Sequence, residues 1–155
     1  MVAKNKQVKS KYLVISVNNA GGVNEGTSTL AWLLQDNITV IGWYARAKVT
    51  PDSNWDSGYQ SAHTELSRAG IISQEAMLFR LSARIQCGST TMAATVENGL
   101  IGDNENNLVT MFPEGYGIDL DDGEYLYLHH TSNNTMGVAN GHVGSSMVCI
   151  YYVER

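Results

Sequence analysis

From Met77 to Cys87 the apolar residues Met77, Phe79, Leu81, Ala83, Ile85 and Cys87 alternate with Leu78, Arg80, Ser82, Arg84 and Gln86. A helix would scatter that apolar set around its circumference, whereas a strand gathers it on one face and sets both arginines on the other. The segment is therefore predicted to be a half-buried strand with Phe79, Leu81, Ala83 and Ile85 toward the core. Ile38 to Val49 follows the same rule after one defect. Ile38 and Val40 share a parity, and Ile41, Trp43, Ala45, Ala47 and Val49 take the other. One extra residue in the stretch Val40-Ile41-Gly42, a β-bulge beside the glycine, would keep a single inward face along the whole strand.

Shorter runs rich in Tyr, Val, Ile and Leu predict strands at Tyr12–Val17, Thr91–Val96, Leu108–Phe112, Glu124–His130 and Met147–Val153. Thr29–Leu34 is ambiguous. Turn residues punctuate the runs at Asn19-Ala20-Gly21-Gly22, Glu97-Asn98-Gly99, Asp121-Asp122-Gly123, Asn133-Asn134 and Asn140-Gly141. Thr50 to Gly70 lacks strand periodicity and reads as a long connection. Within it, Ser61–Arg68 is predicted to form a short helix, with Glu65 and Arg68 at i,i+3 and Gly70 as its stop. Short alternating strands joined by turns and one long crossover predict an all-β antiparallel β-sandwich.

The chain has 155 residues, enough for a single core, and 43% of them are apolar against 16% charged, a balance that favours folding over disorder. No apolar run approaches the ~20 residues of a spanning helix, and none resembles an export signal, so a soluble chain without a membrane partner is expected. The net charge of −5 is unevenly placed. Lys4, Lys6, Lys9 and Lys11 occur in the first twelve residues without an acid, and the remainder carries six basic against fifteen acidic residues. That acidic body would repel phosphates, which argues against nucleic acid as a partner. Residues 1–12 are read as a basic arm for docking, and 13–155 as one sandwich domain. Cys87 and Cys149 each fall in an alternating run and are expected to be buried thiols; a cross-strand disulfide between them requires neighbouring strands.

Candidate chemistry is sparse. Asp119-Leu120-Asp121-Asp122-Gly123-Glu124 is rich in carboxylates, but an EF-hand needs Gly at position 6 and Glu at position 12, where this sequence has Glu124 and His130. A tight acidic turn is the reading preferred. His129 and His130 are strand neighbours that point to opposite faces, and neither His63 nor His142 has zinc-like spacing to a further ligand, so no metal or cofactor is expected. No Gly-x-Ser-x-Gly elbow is present, and Gly137, Gly141 and Gly144 do not follow the dinucleotide fingerprint. Catalytic residues are thus not predicted. Aromatic residues remain: Trp43 reads as core, while Trp55, Tyr59, Tyr125 and Tyr127 are candidates for an interface or for stacking on a glycan.

The stretch Phe112-Pro113-Glu114-Gly115-Tyr116-Gly117 through Asp122-Gly123-Glu124-Tyr125-Leu126-Tyr127-Leu128, closed by Val148-Cys149-Ile150-Tyr151-Tyr152-Val153-Glu154-Arg155, resembles the second half of the small jelly rolls of tailed-phage virion proteins. There an acidic Asp-Gly-Glu turn leads into an x-Leu-x-Leu strand, and an aromatic strand closes the domain. The resemblance implies a jelly-roll β-sandwich that is homotrimeric, non-enzymatic and part of the virion. The expected role is a capsid decoration or cement protein that binds and stabilises the lattice, its lysine arm reaching the major capsid protein. A tail-fibre or baseplate module recognising host surface glycans is the alternative.

Overall fold

The structure is a computed structural model that describes residues 6–18, 25–50, 59–86, 92–97, 107–135 and 143–155. These residues form ten strands and no helix: β1 Lys9–Asn18, β2 Glu25–Leu33, β3 Ile38–Thr50, β4 Tyr59–Ser67, β5 Met77–Gln86, β6 Met92–Glu97, β7 Asn107–Met111, β8 Ile118–Leu120, β9 Tyr125–Thr135 and β10 Val143–Glu154. Sheet A has the order β1-β10-β3-β7, with β8 also paired to β3, and sheet B has the order β2-β9-β4-β5-β6. Every pairing is antiparallel. The chain is an antiparallel β-sandwich in which β1 to β4 alternate between the sheets, β5 and β6 stay in sheet B, β7 and β8 lie in sheet A, and β9 and β10 alternate again.

Two-residue periodicity explains the core. Phe79 and Leu81 of β5, Leu66 of β4 and Leu126 and Leu128 of β9 face Trp43, Ala45, Val148 and Ile150 across the sandwich, and all are buried. Trp43 stacks on Phe79 at 5.1 Å between ring centroids and meets Phe112 edge-on at 5.3 Å. Ala83 and Ile85, expected in the same core, have side chains outside the described residues.

The parity break in β3 is a bulge. Tyr151 of β10 pairs with Gly42 and the next residue, Tyr152, pairs with Val40, leaving Ile41 as the extra residue. Ile38, Val40, Trp43, Ala45 and Ala47 consequently all point inward and are buried. Gly42 is required at the bend. A Cβ built there would lie 2.4 Å from Met111 Sδ and 2.5 Å from the Thr110 carbonyl oxygen of the neighbouring β7. A second irregularity, opposite Leu66 and Ser67, skips Leu78. Leu78 accordingly packs against the core although it shares a parity with Arg80 and Ser82.

Three expectations are corrected. Ser61–Ser67 is part of strand β4, not a helix: Glu65 pairs across strands with Arg80, and Arg68 with Glu124, which removes the i,i+3 pair that favoured a helix. Asn133-Asn134 continues β9 opposite Ser61 and Gln60 rather than turning, because a long neighbour on each side holds it in the ladder. The arm expected over residues 1–12 is already strand from Lys9, which pairs with Tyr152. The three-residue β8 is too short to show a period. Thr29–Leu34 resolves as mostly strand, its ambiguity arising because β2 is an edge strand with the apolar Ala31 and Leu33 on its outer side.

Replacing Leu81 by Asp buries an unpaired charge and is expected to destabilise by roughly 3–5 kcal/mol in chemical denaturation, against about 0.5 kcal/mol or less for the exposed Thr27→Asp. Gly42→Ala is expected to cost about 1–3 kcal/mol, since the Thr110 carbonyl is backbone and gives way poorly. Equal midpoints for Leu81→Asp and Thr27→Asp would show the register of β5 to be wrong.

Candidate functional site

The two outer faces of the sandwich differ in chemistry. On sheet B the outward residues form polar rows across the strands. One row runs Thr29, His129, Glu65 and Arg80, and the next runs Thr27, Thr131, His63 and Ser82. Neighbours within each row are bonded: Thr29 Oγ1 lies 2.8 Å from His129 Nδ1, Arg80 Nη2 donates to Glu65 Oε2 at 2.9 Å, and His63 Nδ1 lies 2.6 Å from Ser82 Oγ. The connection between β4 and β5 folds over this face. The Ala69 carbonyl accepts from His129 Nε2–H at 2.9 Å, and the Ser67 hydroxyl accepts from Ala69 N–H and donates to the Ala76 carbonyl. His129, Glu65 and Ser67 are thereby buried although they point away from the core. Between the connection and the sheet lies a groove of about 210 Å³ lined by His63, Glu65, Ile72, Arg80 and Thr131.

Beside it Tyr125, Tyr127 and His129 stack along β9, with ring centroids 5.6 and 6.1 Å apart. The two tyrosines proposed from the sequence are thus on one outer face, with Tyr125 exposed and Tyr127 half-buried. Trp55 lies outside the described residues, as does the side chain of Tyr59 at the start of β4.

On sheet A the outward rows are apolar and aromatic. Tyr12, Cys149, Tyr44 and Val109 form one row across four strands, and Ser10, Tyr151, Gly42 and Met111 form the next. Val14 and Met147 extend the face on β1 and β10, in a row that Arg46 and Asn107 complete on β3 and β7. Tyr12 is 61% exposed, Val14 54%, Met111 53% and Val109 37%, an unusual surface for a sheet face that meets water. Cys149 is a free thiol buried beneath it. Hydrogen bonding to that thiol raises the pKa of the Tyr12 and Tyr151 phenols above the usual tyrosine value. Cys87 lies outside the described residues.

The lysines of the expected arm are not equivalent. Lys9 pairs with Glu154, and Lys11 sits 5.7 Å from the centroid of the Trp32 ring, which in turn packs on Tyr152 at 5.3 Å. Lys11, Trp32 and Tyr152 line a second groove, about 300 Å³, together with residues 33–36 and Ile38. Two of the four docking lysines are therefore occupied within the chain. Lys6 is exposed and Lys4 lies outside the described residues.

The acidic turn is held by protein donors. Gly123 adopts φ 86°, Asp121 N–H donates to Glu124 Oε2 at 2.6 Å, Arg68 pairs with Glu124 at 2.5 Å, and Arg155 pairs with Asp121 at 2.5 Å. Among the described residues no group of three or more His, Cys, Asp or Glu is placed to hold a metal. Beside the His63–Ser82 contact on the outer face, a second serine–histidine contact lies inside the sandwich. Ser146 Oγ lies 2.8 Å from His130 Nδ1 and accepts from Thr64 Oγ1 at 2.6 Å. All three side chains are fully buried between the sheets, where they tie β4, β9 and β10 together.

Sequence reasoning missed the Glu65–Arg80 pair because β4 was read as a helix. Alternation of Thr64 and Leu66 with His63, Glu65 and Ser67 is the signal that identifies it. The apolar face of sheet A was missed because Tyr12, Val14 and Met111 were counted as strand formers without asking which side they occupy.

Comparison with known proteins adds no family: no family model matches the chain, and no curated protein matches it. Among solved structures, PliG of Aeromonas hydrophila, a periplasmic inhibitor of g-type lysozyme, is similar over 98% of this chain and 91% of its own, at 13% identity and a TM-score of 0.31. A likeness at that level bears on neither the fold nor the function. No helix among the described residues is long and apolar enough to cross a membrane.

The hydrogen bond from Asp121 N–H, reinforced by Arg68, holds the Glu124 carboxyl below its ordinary value of 4.5. Its contribution to stability is complete above that value and is lost as pH falls through the lower folded value. Glu124→Gln is expected to lower stability at neutral pH by less than about 1 kcal/mol, as for exposed pairs, and to flatten the loss of stability below pH 4.5. Acid titration of the denaturation midpoint checks both, and identical slopes for wild type and variant would refute the role of this turn.

Proposed function

We propose that the chain is a non-enzymatic virion structural protein of the capsid-decoration type, a jelly-roll module that self-associates as a homotrimer and attaches to the major capsid protein. Support for the jelly-roll part is the path of the chain. Sheet A takes strands 1, 10, 3 and 7 with 8 also on 3, sheet B takes strands 2, 9, 4, 5 and 6, and the first and last strands lie side by side. The observation that carries the assembly reading is the outer face of sheet A. Exposed Tyr12, Val14, Val109 and Met111, continuous with Tyr44, Met147 and Tyr151 and bordered by Arg46, form the kind of surface that protein interfaces cover, rich in Tyr, Met and Arg. Attachment to the lattice falls to the basic segment ahead of β1, since Lys9 and Lys11 are engaged within the sandwich.

Light scattering of the purified chain is expected to give the mass of a trimer. A Tyr12→Glu, Val14→Glu double variant is expected to be monomeric with a nearly unchanged melting temperature, because both side chains lie on an exposed edge strand. Virions that carry the double variant should lose the protein on sedimentation. A monomeric wild type, or a trimer that survives both substitutions, would overturn the reading.

A further inference from the structure

Glu65 is the least satisfied charged group among the described residues. Its side chain is 3% exposed, Arg80 occupies Oε2 through both Nε at 3.2 Å and Nη2 at 2.9 Å, and Oε1 has no hydrogen-bond partner. A buried carboxylate oxygen left bare is costly, and it persists where a partner from outside completes it. Glu65 lines the groove on the outer face of sheet B, together with His63, Thr131, Arg80 and Ile72. We propose that this groove is a binding subsite for one unit of a neutral carbohydrate, with a sugar hydroxyl donating to Glu65 Oε1.

Three features select that chemistry. The Arg80 guanidinium, 2.9 Å from the carboxylate, cancels its charge and repels a metal ion or an amine, so the missing donor is a neutral O–H. The rim supplies the Thr131 hydroxyl, which both donates and accepts and so suits a ligand bearing several hydroxyls. Ile72, 46% exposed, offers an apolar wall for the C–H face of a sugar ring. A volume of about 210 Å³ lies under the roughly 300–1,000 Å³ of drug-sized pockets, so a single ring is the unit held. The adjoining stacked tyrosines, Tyr125 and Tyr127, continue the same face toward a second unit. The subsite is independent of the sheet A interface and lies on the opposite side of the sandwich.

The test titrates the full-length chain with glucose, galactose, mannose and N-acetylglucosamine, one at a time, and follows backbone amide shifts by NMR. At least one sugar is expected to bind with millimolar affinity and to shift amides of Glu65, Arg80 and Thr131. Glu65→Gln keeps the shape, but its amide oxygen stays on Arg80 and its NH₂ faces the groove, replacing an acceptor by a donor. Affinity is expected to fall at least ten-fold. Ile72→Ser, in an exposed connection, guards against misfolding of the first variant and is expected to weaken binding with no change in melting temperature. Absence of shifts for all four sugars, shifts confined to other residues, or equal affinity in wild type and both variants would overturn the proposal.

Discussion

The bulged residue Ile41 is the constraint on which the sandwich depends. β3 is the most heavily paired strand of sheet A, with β10 on one side and β7 and β8 on the other. Period two is unforgiving: without the extra residue, one end of β3 would turn its apolar set to water. With it, Val40 and Trp43 reach the same interior, where Trp43 packs on Phe79 of the opposite sheet and on Phe112. The bend also sets the closest approach of two backbones, since only a glycine at position 42 clears the Thr110 carbonyl. One residue thus fixes both which face of sheet A is core and which is surface.

The surface so defined is asymmetric. On sheet B the outward rows through Thr27 and Thr29 are polar and those through Ala31 and Leu33 carry Tyr127 and Tyr125, and the connection between β4 and β5 shields part of the face through the Ala69 carbonyl and the Ser67 hydroxyl. On sheet A the outward rows hold tyrosine, valine and methionine, with the Cys149 thiol beneath them. Inside the sandwich Thr64, Ser146 and His130 bond to one another, whereas Trp43 Nε1 and Thr110 Oγ1 are buried without a hydrogen-bond partner. The apolar outer face of sheet A is the kind of surface that protein interfaces cover.

Much of this was legible in the residue order, and the failures have physical causes. Alternation identified β5 and the defect in β3, because long strands buried on one side repeat the signal many times. Shorter elements escaped. β8 has three residues, and β4 offered a competing helical pair, Glu65 and Arg68, whose partners turn out to lie 15 and 56 residues away in the sequence. The Asn133-Asn134 pair has strong turn propensity but is held between two long strands, and tertiary pairing prevails over local preference. The candidate grooves were hidden for the same reason. Glu65, Arg80 and Thr131 come from three strands, and nothing in their local sequence announces that the register will align them.

The central claim, that the outer face of sheet A is covered by other subunits while that of sheet B stays open, is tested most directly by hydrogen–deuterium exchange at low and high protein concentration. The account predicts that amides of the edge strand β1 around Tyr12 and Val14, and of β7 around Val109 and Met111, gain protection as concentration rises, and that β2 and β9 do not change. Protection that is independent of concentration, or that rises on sheet B instead, would contradict it.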